Sequence, residues 1–404
     1  MPRAFPSHLS KLFPRSAPLV LLILTLAAAV AFAAVSHLVF RFNANQQARG
    51  RQLYTQALAA ANAHAFDDAI AAFRAALTCD PTNSQYQLSL ARALRDSGDP
   101  RRLDEAESYL IALWQRTPQD AAVNLALARV AAHRGSIEDA TRYYHNAMYG
   151  VWNSDADTNR RKARVELIQF LLKQNAAPKA ESELLALAAS LPPEAGPHLQ
   201  AAQLFTDAQD YSNALAQYRE ALASTPGDAA TLAGAGEAAY NAGNYAAAQH
   251  YLQSAVAANP QDEHSRQLLA TADLVLRVNP YRSHISDAER NRRIAAAFAQ
   301  SEKRLDACAQ QQGANLNPSS QSTNPAAEAI AQPTATALLG LQSRWSAMQP
   351  NLARMRSPAE TDLPDAIMDI VFQIEQQAAS ACGPPQDLDL ALLLISHKRE
   401  AAAQ

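Results

Sequence analysis

Five cationic or protonatable side chains stand at helical spacings in one stretch of the chain. Arg92 and Arg95 are three apart, Arg129 and His133 are four apart, and Lys173 follows Gln169 by four. Guanidinium groups pair well with carboxylates, so the chemistry open to them is capture of an acidic or extended peptide segment. A solvated helix face would carry the same residues. Cys308 and Cys382 each lie near the end of a helix-forming segment. In an oxidising compartment a disulfide between them would close a long loop, contributing ~3–5 kcal/mol in the chain-entropy picture. Two buried thiols are the alternative. Cys79, before Asp80-Pro81, reads as a packed small residue.

Catalytic and cofactor chemistry is poorly served. Gly234-Ala-Gly236-Glu-Ala-Ala239 fits the dinucleotide pattern G-x-G-x-x-A, but no strand precedes it and its surroundings are helical. The histidines are scattered, and His133 and His145 fall in different helices. The acid pairs Asp67-Asp68 and Asp104-Glu105 open helices, where negative charge suits the helix dipole. No nucleophile motif has a fitting context. The three cysteines make no C-x-x-C pair. The expectation is a non-enzyme with no cofactor and no metal. A net charge of −3 gives no nucleic-acid footprint.

The elements that must position these residues follow from composition and period. Charged residues are 18% of 404, glycines number only 12, and alanine is abundant, which points to an all-α chain. Ala180, Ala214 and Ala248 are 34 apart, as are Pro192, Pro226 and Pro260. A period in this range means a stacked solenoid, because one such unit cannot bury its apolar face alone. Each unit reads as helix A, a turn, helix B and a stop. His198 to Thr206 and Asn213 to Leu222 form one pair, closed by Thr225-Pro226-Gly227-Asp228.

The pattern resembles the tetratricopeptide repeat (TPR) family over about residues 50–262, in six units. The small residue early in helix B falls on Ala69, Ala106, Ala140, Ala180, Ala214 and Ala248. The bulky residue one turn later falls on Phe73, Leu110, Tyr144, Leu184, Tyr218 and Leu252. The closing proline falls on Pro81, Pro118, Pro192, Pro226 and Pro260, with Trp152 in its place in the third unit. Extra residues lie around Pro100-Arg101-Arg102 and around Val151 to Asp157, and should lengthen turns.

The resemblance implies a concave groove lined by the A helices. By register its lining includes Leu88, Arg92, Arg95, Leu125, Arg129, His133, Val165, Gln169 and Lys173, with Glu237 and Tyr240 in the sixth unit. Arg92, Arg95, Arg129, His133 and Lys173 would form a basic stripe for a protein or peptide partner. The Lys/Asn carboxylate clamp of the family's chaperone-binding members is not reproduced, since the first unit has Leu58 where the clamp places Asn.

The flanks differ from the array. Residues 1–16 form a basic tail with Arg3, Lys11 and Arg15. Residues 17–40 carry no charge and, as a helix of ~36 Å, would span a hydrocarbon core of about 30 Å. Ala31-Phe32-Ala33 offers a signal-cleavage alternative. The solenoid with its capping helix should cover 50–278, followed by a helix at 286–312, a disordered linker at 313–333 and a helical region at 334–404. The 286–312 helix and the 334–404 region suggest a small C-terminal bundle.

The expected function is a membrane-anchored protein- or peptide-binding scaffold in cell-envelope assembly or quality control, on the inner membrane with its bulk extracytoplasmic. A cytoplasm-facing adaptor, a secreted soluble protein and an enzyme carried by the C-terminal bundle are the rivals.

Overall fold

The computed structural model describes residues 17–313, 333–355 and 362–403. The basic tail, and the 313–333 linker apart from Gly313 and Pro333, lie outside this set. Among the described residues there is no strand. Two compact units divide at Ala180, residues 1–180 and 181–404.

In the first unit, α1 (Ala17–Asn62) is followed by α2 (Phe66–Cys79), α3 (Ser84–Asp96), α4 (Pro100–Arg116), α5 (Ala121–His133), α6 (Ile137–Tyr149) and α7 (Ala156–Lys173). The helix α8 (Ala177–Ala188) carries the division. The second unit continues with α9 (Ala195–Asp207), α10 (Tyr211–Ser224), α11 (Ala229–Asn241), α12 (Tyr245–Ala258), α13 (Glu263–Val278) and α14 (Asp287–Gln311). Four further helices follow: α15 (Pro333–Met348), α16 (Asn351–Arg354), α17 (Leu363–Cys382) and α18 (Asp387–Ala403).

The repeat register is visible in burial. All six register alanines, from Ala69 to Ala248, are 0% exposed, so each is the point where helix B touches its neighbour. Phe73, Leu110, Tyr144, Leu184 and Leu252 are buried beside them, while Tyr218 is half-buried.

The turns repeat as well. A residue with positive φ ends each A helix: His64, Gly98, Gly135, Asn175, Gln209 and Gly243. In five repeats the next residue donates its N–H to a carbonyl five residues back, as Asn244 does to Ala239 at 2.8 Å. This left-handed cap satisfies carbonyls that the helix end would leave bare. Gly98 stands eight residues before its alanine, where the other five stand five before theirs. The surplus is taken up around Asp99–Arg102, where α4 gains an extra N-terminal turn capped by Asp99.

The closing prolines serve the next helix. Two residues after Pro81, Pro118, Pro226 and Pro260 come Asn83, Asp120, Asp228 and Asp262. Each accepts backbone N–H groups as the N-cap of the following A helix. The third repeat, which lacks the proline, ends differently. Val151 forms an isolated parallel bridge with Asp120, and Trp152 Nε1 donates to the Ala147 carbonyl at 2.9 Å.

The helix α1 runs unbroken for 46 residues. Its large apolar side chains from Val20 to Phe42 are 49–75% exposed, whereas Gly50 and Ala57 are buried against the first repeat. One helix thus holds both the apolar segment and the first helix A. In the second unit, α14 packs on α17, α15 on α17, and α18 on α13. A disulfide joins Cys308 of α14 to Cys382 of α17, with Cα atoms 5.6 Å apart, and Cys79 is free.

Candidate functional site

The cations expected along the groove of the first unit sit on successive A helices. Arg92 and Arg95 project from α3 and are half-buried, as is Arg129 from α5. Arg129 meets Glu166 of α7 in a two-pronged ion pair, Nε to Oε2 at 2.8 Å and Nη2 to Oε1 at 2.7 Å. Both side chains are about a quarter exposed, at 24% and 23%, so this pair is shielded from water better than an ordinary surface bridge. Arg95 turns to its neighbour Asp96, with Nε and Nη2 at 2.8 and 2.6 Å from one oxygen.

Arg92 has no such acid. Its Nε is buried without a hydrogen-bond partner, as is Nη1 of Arg95. Burial, then the positive charges of Arg129 and Arg95, pull the Arg92 guanidinium below its ordinary pKa. At Arg129 burial works the same way, but the bond and charge of Glu166 outweigh it and the pKa rises. Burial and the nearby Glu166 carboxylate hold the Tyr144 phenol well above its usual value. The arrangement is three mutually repelling guanidinium groups with two acids between them. A carboxylate brought to the accessible edge of Arg92 would relieve the repulsion.

The remaining positions behave variously. His133, Gln169 and Lys173 are exposed on the ends of their helices. Leu125 and Val165, expected along the groove, are only 5% exposed and belong to the core. In the second unit Glu237 faces His264 at 3.5 Å, and Tyr240 packs edge-on against Tyr245 at 5.5 Å. Burial raises the Tyr240 phenol pKa. Sequence reasoning missed Glu166. It lies one residue from Val165 and one helical turn before Gln169, so the register of Gln169 and Lys173 contained it.

The dinucleotide-like glycines have a packing role. A Cβ on Gly234 would stand 2.7 Å from the Tyr218 ring, and one on Gly236 would stand 2.6 Å from Leu252 Cγ. They let α11 approach its neighbours α10 and α12.

Residues 43–158 match the model of the cytochrome c-type biogenesis protein H TPR domain, and residues 205–272 match a tetratricopeptide repeat model. The chain is a tetratricopeptide-repeat protein. In this TPR protein Arg92, Arg95, Arg129 and His133 fall inside the first matched segment. No curated protein sequence matches the chain. Among solved structures, Pseudomonas aeruginosa PilF is 15% identical, covering 56% of this chain and 99% of its own, with a TM-score of 0.38. PilW, a type IV pilus biogenesis factor, is 18% identical over 55% of this chain and 98% of its own, with a TM-score of 0.39. A TPR protein of Parabacteroides merdae is 13% identical over 73% and 99%, with a TM-score of 0.37. Likeness at this level says nothing about function.

Proposed function

We propose that the chain is a membrane-anchored scaffold that holds an acidic protein segment in the groove of its first repeats, outside the cytoplasmic membrane. The observation that carries this reading is Arg92, a half-buried cation with a stranded Nε beside two arginines already paired to acids. The bare apolar stretch of α1 supports an anchor, because side chains so exposed need an apolar surround. The Cys308–Cys382 disulfide supports an oxidising compartment. The match of residues 43–158 favours cytochrome c-type biogenesis as the assembly process served.

The test uses the full chain in native membranes with a photo-crosslinking residue at Gln169. Acid-rich segments should be captured, and Arg92→Gln with Arg95→Gln should abolish their capture. Capture of the same segments by that variant would sink the groove reading. Loss of the chain should lower accumulation of haem-bearing c-type cytochromes, and unchanged levels would remove that assignment alone. A reporter fused after Gln404 reads the topology.

A further inference from the structure

The second unit contains a half-open cavity of about 550 Å³ where α12, α13 and the loop after α13 meet α17 and α18. That size suits a small ligand or the last residue or two of a peptide. Its inner wall is apolar: Tyr245, Leu276 and Ile395 are 5%, 8% and 3% exposed. Its rim is charged and unbalanced. Arg282, Lys398 and Arg399 line it, against the single carboxylate of Asp365.

The pairing of these groups decides which charge is left over. Arg399 takes Asp365 at 3.1 Å and lies over the Tyr281 ring at 4.5 Å, so its charge is spent on holding α18 to the loop and to α17. Lys398 donates to the Gly243 carbonyl at 2.7 Å, which occupies one of its three protons. Its Nζ also stands 5.9 Å from the Tyr245 ring, which forms part of the apolar wall. Arg282 gives one N–H to the Leu276 carbonyl at 3.1 Å and has no acid. Two anchored cations therefore flank an apolar recess with donors to spare. A polar neutral ligand would waste the recess, and a cation would be repelled.

We propose that this cavity is a second binding site, for a carboxylate carried on a short apolar body. A free short-chain carboxylic acid and the apolar last residue of a peptide are the two sources of that chemistry. Arg282 and Lys398 would hold the carboxylate, and Leu276, Ile395 and Tyr245 would cover the apolar body. The site lies within residues 244–399 and does not rest on the groove of the first repeats.

The full chain, reconstituted in nanodiscs, would be titrated with 4-methylpentanoate and with the N-acetylated tripeptide Gly-Gly-Leu by ligand-detected NMR. Each is compared with its neutral amide. At least one acid should bind, and its amide should bind about tenfold more weakly. Arg282→Gln with Lys398→Gln should weaken the acid by a similar factor. Ala246→Phe, at an exposed lining position, should block the site by bulk alone, with a melting curve run alongside. Preference for the tripeptide identifies a chain terminus as the source, and preference for 4-methylpentanoate identifies the free acid. Failure of both acids to bind, amides equal to acids, or binding indifferent to the Arg282/Lys398 variant would overturn the proposal.

Discussion

Arg129 and Glu166 set how much positive charge the proposed groove of the first unit would offer. Glu166→Gln should release Arg129 and have effects of opposite sign on stability and binding. The first unit should lose about 1 kcal/mol, the scale of a well-formed, partly shielded pair. An acidic probe peptide should bind more tightly, with a steeper salt dependence, measured by fluorescence anisotropy. Weaker binding would mean that Glu166 itself contacts the ligand. Gly236→Ala tests the packing reading of the glycines. Helix propensity favours alanine by about 1 kcal/mol, but the new Cβ would press on a fully buried Leu252. Overpacking of ~1–3 kcal/mol should win, and thermal melting should fall. The register alanines were legible in sequence because residue type and spacing recur together. Glu166 was passed over because the repeat register was read as putting Val165, a core residue, on the groove in place of the acid beside it.

At the level of elements, α17 carries a penalty within its own apolar face. Glu375 is fully buried, and neither carboxylate oxygen has a hydrogen-bond partner. Arg304 of α14 is 4.0 Å away, and Asp389 of α18 adds negative charge. Burial first, and Asp389 second, push the Glu375 pKa up from 4.5 to about 8 against the opposing pull of Arg304. The carboxyl is therefore neutral in the fold and ionised in the open chain over that window. Its stabilising contribution is complete below the unfolded value of 4.5 and lost as pH rises through about 8. Denaturant melts of the C-terminal helices should weaken by a few kcal/mol between those limits, at about 1.4 kcal/mol per unit. Glu375→Gln should flatten the profile, and an unaltered slope would place the titration elsewhere. Ile367, Ile370, Val371 and Ile374, all buried, give α17 an apolar face that shows in the sequence. Nothing in that pattern reveals that the next residue is buried with them. The continuity of α1 is likewise invisible to apolar periodicity: residues 41–49 show no apolar face, yet they contain no proline or glycine to stop a helix.

At the level of the whole molecule, the two units should respond differently to reductant. The Cys308–Cys382 bond spans 74 residues of the second unit, while the first contains only the free Cys79. A loop of that length contributes about 4 kcal/mol in the chain-entropy picture. Reduction should lower the melting of the second unit and leave the first unmoved, which scanning calorimetry with and without reductant would register. Equal shifts in both would show that the units unfold as one. The helical class was readable from composition, and the six repeats from period and residue type together. The tertiary arrangement of the C-terminal helices was not, because no repeat there reports which faces meet.

The unbroken α1 has a mechanical consequence. At about 1.5 Å per residue it is a rod of ~69 Å, with the first helix A as its far end. If its apolar part sits in a bilayer, the first repeat is bolted to the lipid rather than tethered to it. Transmembrane helices tilt as the hydrocarbon thins. Here each degree of tilt would swing the first repeat by the same degree, so membrane thickness would aim the groove.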